Sequence, residues 1–313
     1  AMKFGAVANQ SGVTWQELVD FWQELDSGSA FDSLWLMDHF VTGFGQAFGS
    51  EGPCMEGWTA LAALAQATSR AKLGILVTGN TYRHPAVLAK QATTVDQISG
   101  GRLIVGLGAG WHEYEHQAFG INLPPLKERM DRLEEAAHMI KTLWTEERPS
   151  WTGEYYALDK PPYNPPNVQE PHPPILIGGG GEKRTLRIVA HYADIANVMG
   201  TPAEVKHKFE VLDKHCEAVG RDPGTIKRTI QAPLFLNEDP AFRERVLQGM
   251  SAARGGTPEE AAEALLIGGP EEISEQIKRY EDAGVEEIYV ALWPRFLPKP
   301  LQRFAEEVMP AFS

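Results

Sequence analysis

The sequence predicts one α/β domain over residues 1–313, closed as a (β/α)8 or TIM barrel with insertions at the carboxyl-terminal face of its strands. Three observations predict it. Short apolar runs of strand length alternate with amphipathic helical patterns from one end of the chain to the other. The count reaches eight strands, each followed by a helix. No shift in composition divides the 313 residues into two units. A doubly wound open sheet shares the alternation, and only closure separates the two architectures.

Taken in order, Lys3–Asn9 is the first predicted strand. Trp15–Leu25 follows as a helix, because Trp15, Leu18, Val19, Trp22 and Leu25 recur at spacings of three and four. Ser33–Met37 (SLWLM) is the second strand; it ends in Asp38 and His39 and leads into a glycine-rich loop reaching Pro53. A helix over Trp58–Ala67 precedes the third strand, Leu73–Val77, which runs into Thr78-Gly79-Asn80. Pro85 opens the next helix, to about Ile98, as proline at a first helical position does. Leu103–Leu107 is apolar and β-branched as a strand buried on both faces must be, and makes the fourth strand.

Gly106, Gly108 and Gly110 then let the backbone turn tightly, and Trp111–His116 supplies acids and aromatics at a first helical turn, where amides are unsatisfied. A long helix is predicted over Leu126–Thr145. Residues 149–174, rich in proline and carrying Trp151, Tyr155, Tyr156 and Tyr163, break the rhythm and read as a functional lid or dimer surface. Strand five is Ile175–Ile177, followed by GGGGEK and a helix through Ala190; strand six is Asp194–Val198, with a helix over Pro202–Ala218. Strand seven is Thr229–Leu236, after which residues 240–266 are helical with a break at Gly255-Gly256. Pro270–Ala283 is a helix, Glu287–Leu292 strand eight, and Pro300–Phe312 the last helix.

In such a barrel the chemistry belongs at the carboxyl ends of the strands, and the unusual residues fall there. His39, Thr78-Gly79-Asn80, Gly108–Glu115, Gly178–Lys183, Asn197 and Trp293 converge on one face. Gly178–Gly181 between a strand and a helix is an anion cradle, yet it lacks the P-loop spacing, so a large phosphate-bearing cofactor other than ATP is indicated. His39 has the intrinsic pKa for proton transfer and is the leading acid/base residue. The run His112–His116 (HEYEH) matches the zinc-protease motif H-E-x-x-H, but it starts right after a strand turn and not within a long helix, which makes zinc hydrolysis the remote reading.

Composition narrows the partners. A net charge of −13 offers no footprint for nucleic acid or an anionic membrane, and no apolar run reaches the ~20 residues a bilayer span needs. Two distant cysteines, Cys54 and Cys216, and no signal-like segment ahead of the apolar Phe4–Ala8 run lead to the expectation of a reducing cytoplasm and a small-molecule substrate.

The segments LWLMDHF, TGNTYRHPAVLAKQATTVDQISGGR, GRLIVGLGAGW and ILIGGGGEK with TLRIVAHYADIAN resemble the bacterial luciferase-like superfamily of flavin- and deazaflavin-dependent oxidoreductases. The chain is most similar to the branch that uses coenzyme F-420, and the likeness covers nearly its whole length. The resemblance implies a usually homodimeric barrel and hydride transfer to or from a cofactor ring in the barrel mouth, with FMN as the alternative cofactor in a monooxygenase. It implies that His39 is the acid/base residue and that Asp38, Leu76, Val77, Thr78, Gly79, Gly108 and Gly110 surround the ring. A non-prolyl cis peptide falls among Leu76, Val77 and Thr78, and Gly178, Gly179, Gly180 and Lys183 hold the phosphate. Sugar-phosphate dehydrogenases of the family carry glutamate where this chain has Trp111. That departure points to an apolar or aromatic substrate in a pocket of Phe40, Trp111 and Trp293, walled by residues 40–55, 149–172 and 293–299. A non-catalytic flavin-binding protein is the alternative from another class.

Overall fold

The computed structural model describes residues 1–28, 30–42, 52–292 and 298–312, with the Arg254 side chain excepted. Eight strands run parallel: β1 (Lys3–Val7), β2 (Ser33–Leu36), β3 (Lys72–Ile75), β4 (Leu103–Gly108), β5 (Ile175–Gly178), β6 (Ile195–Val198), β7 (Lys227–Leu236) and β8 (Glu287–Ala291). Each pairs with the next, and β8 returns to β1 with Lys3 opposite Glu287 and Val7 opposite Ala291. The sheet is therefore closed, and the open doubly wound alternative is excluded.

Alternation along the strands sorts the core into two layers. Outward-facing Leu34, Leu36, Leu73, Ile75, Leu103, Val105 and Leu107 pack beneath the helices. Inward-facing Val7, Trp35, Leu76, Ile104, Leu176, Ile195, Tyr289 and Ala291 fill the barrel, with the Trp35 and Tyr289 rings 4.7 Å apart. This interior is packed, so function is confined to the rim.

The helices follow their sequence signals closely. Thr14 and Glu17 form a capping box on the helix Trp15–Ser27, Pro85 starts Pro85–Ser99, and Leu126–Thr145 has the predicted limits. Three regions differ from expectation. Strand three is interrupted: after Ile75 a cis peptide joins Leu76 to Val77, and Thr78–Gly79 resumes pairing with β4. The helical stretch after β7 breaks at the glycines, into Pro240–Arg254 and Pro258–Glu263, but ends earlier than expected because Leu266–Gly268 adds a strand to the end of β7.

The third difference is residues 149–174, which run along the flank and not across the barrel mouth. A hairpin of Ser150–Thr152 and Ala157–Asp159 lies on Leu126–Thr145, where Glu135 accepts bonds from the amides of Glu154, Tyr155 and Tyr156. The chain then descends. Tyr163 bonds Thr93, the amides of Val168 and Gln169 bond Asp96, and the Gln169 amide reaches the carbonyl of Leu103 at the amino end of β4. Tyr155 on Arg132 and Tyr156 against His84 at the start of Pro85–Ser99 bring the segment toward the carboxyl face.

Candidate active site

Asp38 and His39 leave β2 together, and neighbours on extended chain point to opposite sides. Asp38 turns inward. It is 3% exposed, grips both guanidinium nitrogens of Arg83 at 2.7 and 2.8 Å, and accepts the Gly79 amide at 2.8 Å. Burial works against the Arg83 charge, but the Asp38 carboxylate outweighs it and holds the guanidinium above its ordinary value. Asp38 thus acts on the protein's own backbone, as does Thr78, fully buried with its hydroxyl accepting from the Trp58 indole at 3.2 Å. Both were expected at the cofactor; in the structure both are engaged by the protein's own groups.

His39 turns toward the segment after β4. Its Nδ1 lies 2.9 Å from Glu115 Oε2, its side chain stays 22% exposed, and its Nε2 has no partner among the described residues. Glu115 is fully buried and also receives the Tyr82 hydroxyl and the backbone amides of Phe40 and Val41. Burial alone would raise its pKa, but these bonds, led by His39, bring it down to about 2. The same carboxylate, after burial itself, pushes the Tyr82 phenol up, and it adds to the burial that takes the Cys54 thiol to about 12. Cys54 Sγ sits against the His39 carbonyl at 3.2 Å as a protonated thiol.

An aromatic rim surrounds the pair. Trp111 stacks on His112 at 4.8 Å, meets the His39 ring edge-on at 5.6 Å and remains 54% exposed. Phe40 packs on Tyr82 at 4.7 Å and on Phe119 at 5.4 Å. Trp293 lies outside the described residues. The histidines of the HEYEH run are engaged within the fold: His112 caps the helix Glu113–Ala118 through Glu115 N, while His116 uses Nδ1 on the His112 carbonyl and Nε2 on Thr81. Among the described residues no group of side chains has the arrangement of a metal site.

The glycines make room for Val77. A Cβ on Gly108 would stand 2.6 Å from Val77 Cγ2, and one on Gly178 would stand 3.0 Å from Val77 Cγ1, so β4 and β5 must be bare where this residue leans on them. Beyond β5, Gly179 has φ +126°, a conformation open to glycine, and its amide donates to the Asn197 carbonyl at 3.0 Å. The amides of Gly180 and Gly181 have no partner among the described residues, and the helix Thr185–Tyr192 begins without a side-chain cap. Lys208 lies against Gly180, with Nζ on the Met199 carbonyl at 2.6 Å. Lys183 is exposed at the loop's end, whereas Arg184 is tied to Asp131 on the neighbouring helix. Gly110, with φ +83°, has its carbonyl held by Arg129.

Sequence reasoning missed Glu115, Tyr82 and Lys208. Glu115 lay inside a run set aside as a zinc motif; its signal was an acid in the first turn after the β4 glycines, opposite a strand-end histidine. Lys208 sits mid-helix and has no local signal.

Fold and site together define a (β/α)8 barrel whose candidate site lies at the carboxyl edge of the strands. The chain belongs to the luciferase-like monooxygenase family, whose profile matches residues 2–287. An F-420-dependent glucose-6-phosphate dehydrogenase of Segniliparus rotundus is 30% identical over 318 aligned positions, covering 92% of this chain and 91% of its own. One from Kineococcus radiotolerans is 34% identical over 249 positions, 77% of this chain and 70% of its own. Among solved structures, an F-420-dependent secondary alcohol dehydrogenase in complex with an F-420-acetone adduct superposes with TM-score 0.86 at 20% identity, covering 100% of this chain and 99% of that one, a likeness of fold.

Proposed function

We propose that the protein is an F-420-dependent oxidoreductase acting on an uncharged, apolar or aromatic alcohol or its carbonyl counterpart, with His39 as acid/base residue. The observation that carries this reading is the pairing of His39 Nδ1 with a buried Glu115 carboxylate while Nε2 is left to the rim. The residues present suit a phosphate-bearing deazaflavin. Two amides unpartnered among the described residues, an uncapped helix start and the Lys208 ammonium surround one glycine loop, where Gly180, Gly181 and Lys208 would hold the phosphate. When bound, the deazaflavin supplies the hydride acceptor or donor.

The protein's own residues supply the rest. In the oxidative direction Nε2 of neutral His39 takes the hydroxyl proton as the carbon loses its hydride; in the reductive direction the imidazolium returns that proton to oxygen. Trp111, Phe40 and Phe119 keep water from the reacting centre and offer apolar area to the substrate. Trp111 puts an exposed indole, and no charged group, beside the His39 ring, and this favours a less polar substrate than a sugar phosphate.

Titrating the purified protein with F-420 and with FMN, then assaying alcohols and glucose 6-phosphate with the tighter cofactor, tests the reading. Submicromolar binding of F-420 and turnover of an apolar alcohol are expected. Preferential FMN binding with substrate-dependent oxygen uptake would replace it by a flavin monooxygenase.

A further inference from the structure

We propose that Glu115 is the positioning residue of this site: it holds the proton of His39 on Nδ1 and so keeps Nε2 as the nitrogen that exchanges a proton with substrate, while Tyr82 secures the carboxylate. This rests on the oxidoreductase reading above.

The geometry assigns the tautomer. A carboxylate has about four lone-pair positions. Here one oxygen, Oε1, accepts the backbone amides of Phe40 and Val41, and the other, Oε2, accepts His39 Nδ1 and the Tyr82 hydroxyl. All four partners are donors, contributed by the chain just after β2 and by the turn after Thr78–Gly79, and the carboxylate is sealed from solvent. An ionised, fully occupied acceptor admits only an Nδ1–H imidazole. Neutral His39 therefore carries its lone pair on Nε2 and becomes an Nε2–H acid once protonated. The groups facing the pair are consistent with this. His112 and Trp111 pack on the His39 ring, Cys54 on its carbonyl, His116 on the Tyr82 ring, and the nearby Asp38 is neutralised by Arg83. Among the described residues Glu115 is thus the one carboxylate in contact with the imidazole.

Glu115→Gln separates this role from mere packing. The two backbone amides must keep facing Oε1, so the new NH2 group takes the place of Oε2 and donates to Nδ1, drawing the Nε2–H tautomer. Three outcomes are expected together. Turnover falls about a hundredfold or more, as when a triad carboxylate is replaced by its amide. The pH profile of turnover departs from that of the native protein, because in the neutral ring the nitrogen that faces substrate now carries the proton. The F-420 dissociation constant stays within about threefold. Nitrogen-15 NMR of His39 in the cofactor-free protein reads the tautomer directly, with the pyrrole-type nitrogen moving from Nδ1 to Nε2.

Tyr82→Phe, which removes one donor and keeps the carboxylate, serves if the glutamine variant does not fold: a several-fold loss of turnover and a smaller change in the pH profile are expected, with the Nδ1–H tautomer retained. An unchanged tautomer and pH profile in Glu115→Gln, whatever its turnover, would overturn the proposal. A native protein that binds no F-420 would overturn the underlying reading instead, and the NMR tautomer would still decide the role of Glu115.

Discussion

Glu115 is also a stability element, because a carboxylate held near pKa 2 in the fold has an ordinary value of 4.5 once unfolded. As pH falls the unfolded chain takes up that proton first, so the stabilisation is complete above about pH 4.5 and is lost as pH drops toward about 2. Denaturant unfolding of Glu115→Gln beside the native protein should therefore show a stability gap that is wide at pH 6 and narrow at pH 3; a constant gap would assign the difference to packing. His39→Ala should behave differently. It should cost about 10²- to 10⁴-fold in turnover, the range of a lost acid/base group, with cofactor affinity nearly unchanged. Equal losses in both would make His39 a residue that packs against the ring. The place of His39 at the rim was legible in the sequence because it follows directly on a strand of the barrel. Its partner was not, because Glu115 lies 76 positions away and only the pairing of β2, β3 and β4 brings the two together. Adjacency in sequence does not make Asp38 that partner: alternation along the chain sends Asp38 to Arg83 and His39 to Glu115.

Strands β3, β4 and β5 meet the rim as one unit, locked by the fit of Val77 against Gly108 and Gly178. Gly108→Ala would place its methyl group 2.6 Å from Val77 Cγ2, and overpacking of this kind costs about 1–3 kcal/mol. Thermal unfolding should show the loss, and Val77→Ala in the same chain should recover much of it, since two residues in contact are not additive. In the loop after β5, Gly179→Val meets a backbone with φ +126° that a β-branched residue resists, so F-420 affinity should fall at least tenfold while the rest of the barrel still folds. Unchanged affinity would remove this loop from the phosphate site. These elements were readable because their signals are local: apolar strand runs, a proline opening a helix, glycines after a strand. Leu266–Gly268 was not, since three residues show no period and their strand character comes from pairing with the end of β7. The flank path of residues 149–174 was equally hidden, because it is set by Asp96, Glu135 and the Leu103 carbonyl, which lie far off in the sequence.

At the scale of the whole molecule the question is how a chain with net charge −13 retains an acidic cofactor. Long-range attraction opposes binding, so affinity must come from short-range contacts at the glycine loop and from the ring in the barrel mouth. The phosphate is common to F-420 and FMN, and the loop amides do not tell them apart; the acidic lactyl-glutamate tail of F-420 must do so. Arg184, next to Lys183 in the chain, is already paired with Asp131, whereas the exposed Lys183 and the Lys208 ammonium beside Gly180 are placed to meet the tail and the phosphate. Exposed pairs of this kind contribute about 0.2–1 kcal/mol each and are screened by salt. Lys208→Met should then weaken F-420 several-fold, Lys183→Met by less, and both variants should bind with a shallower dependence on ionic strength than the native protein. The consequence for the fold is measurable without turnover: a cofactor present at a hundred times its dissociation constant stabilises the native state by about 2.7 kcal/mol. F-420 should accordingly raise the melting temperature more than FMN at equal concentration, and by less in the Lys208→Met variant. A larger shift with FMN, indifferent to salt and to Lys208, would place recognition in the ring pocket and return the protein to flavin chemistry.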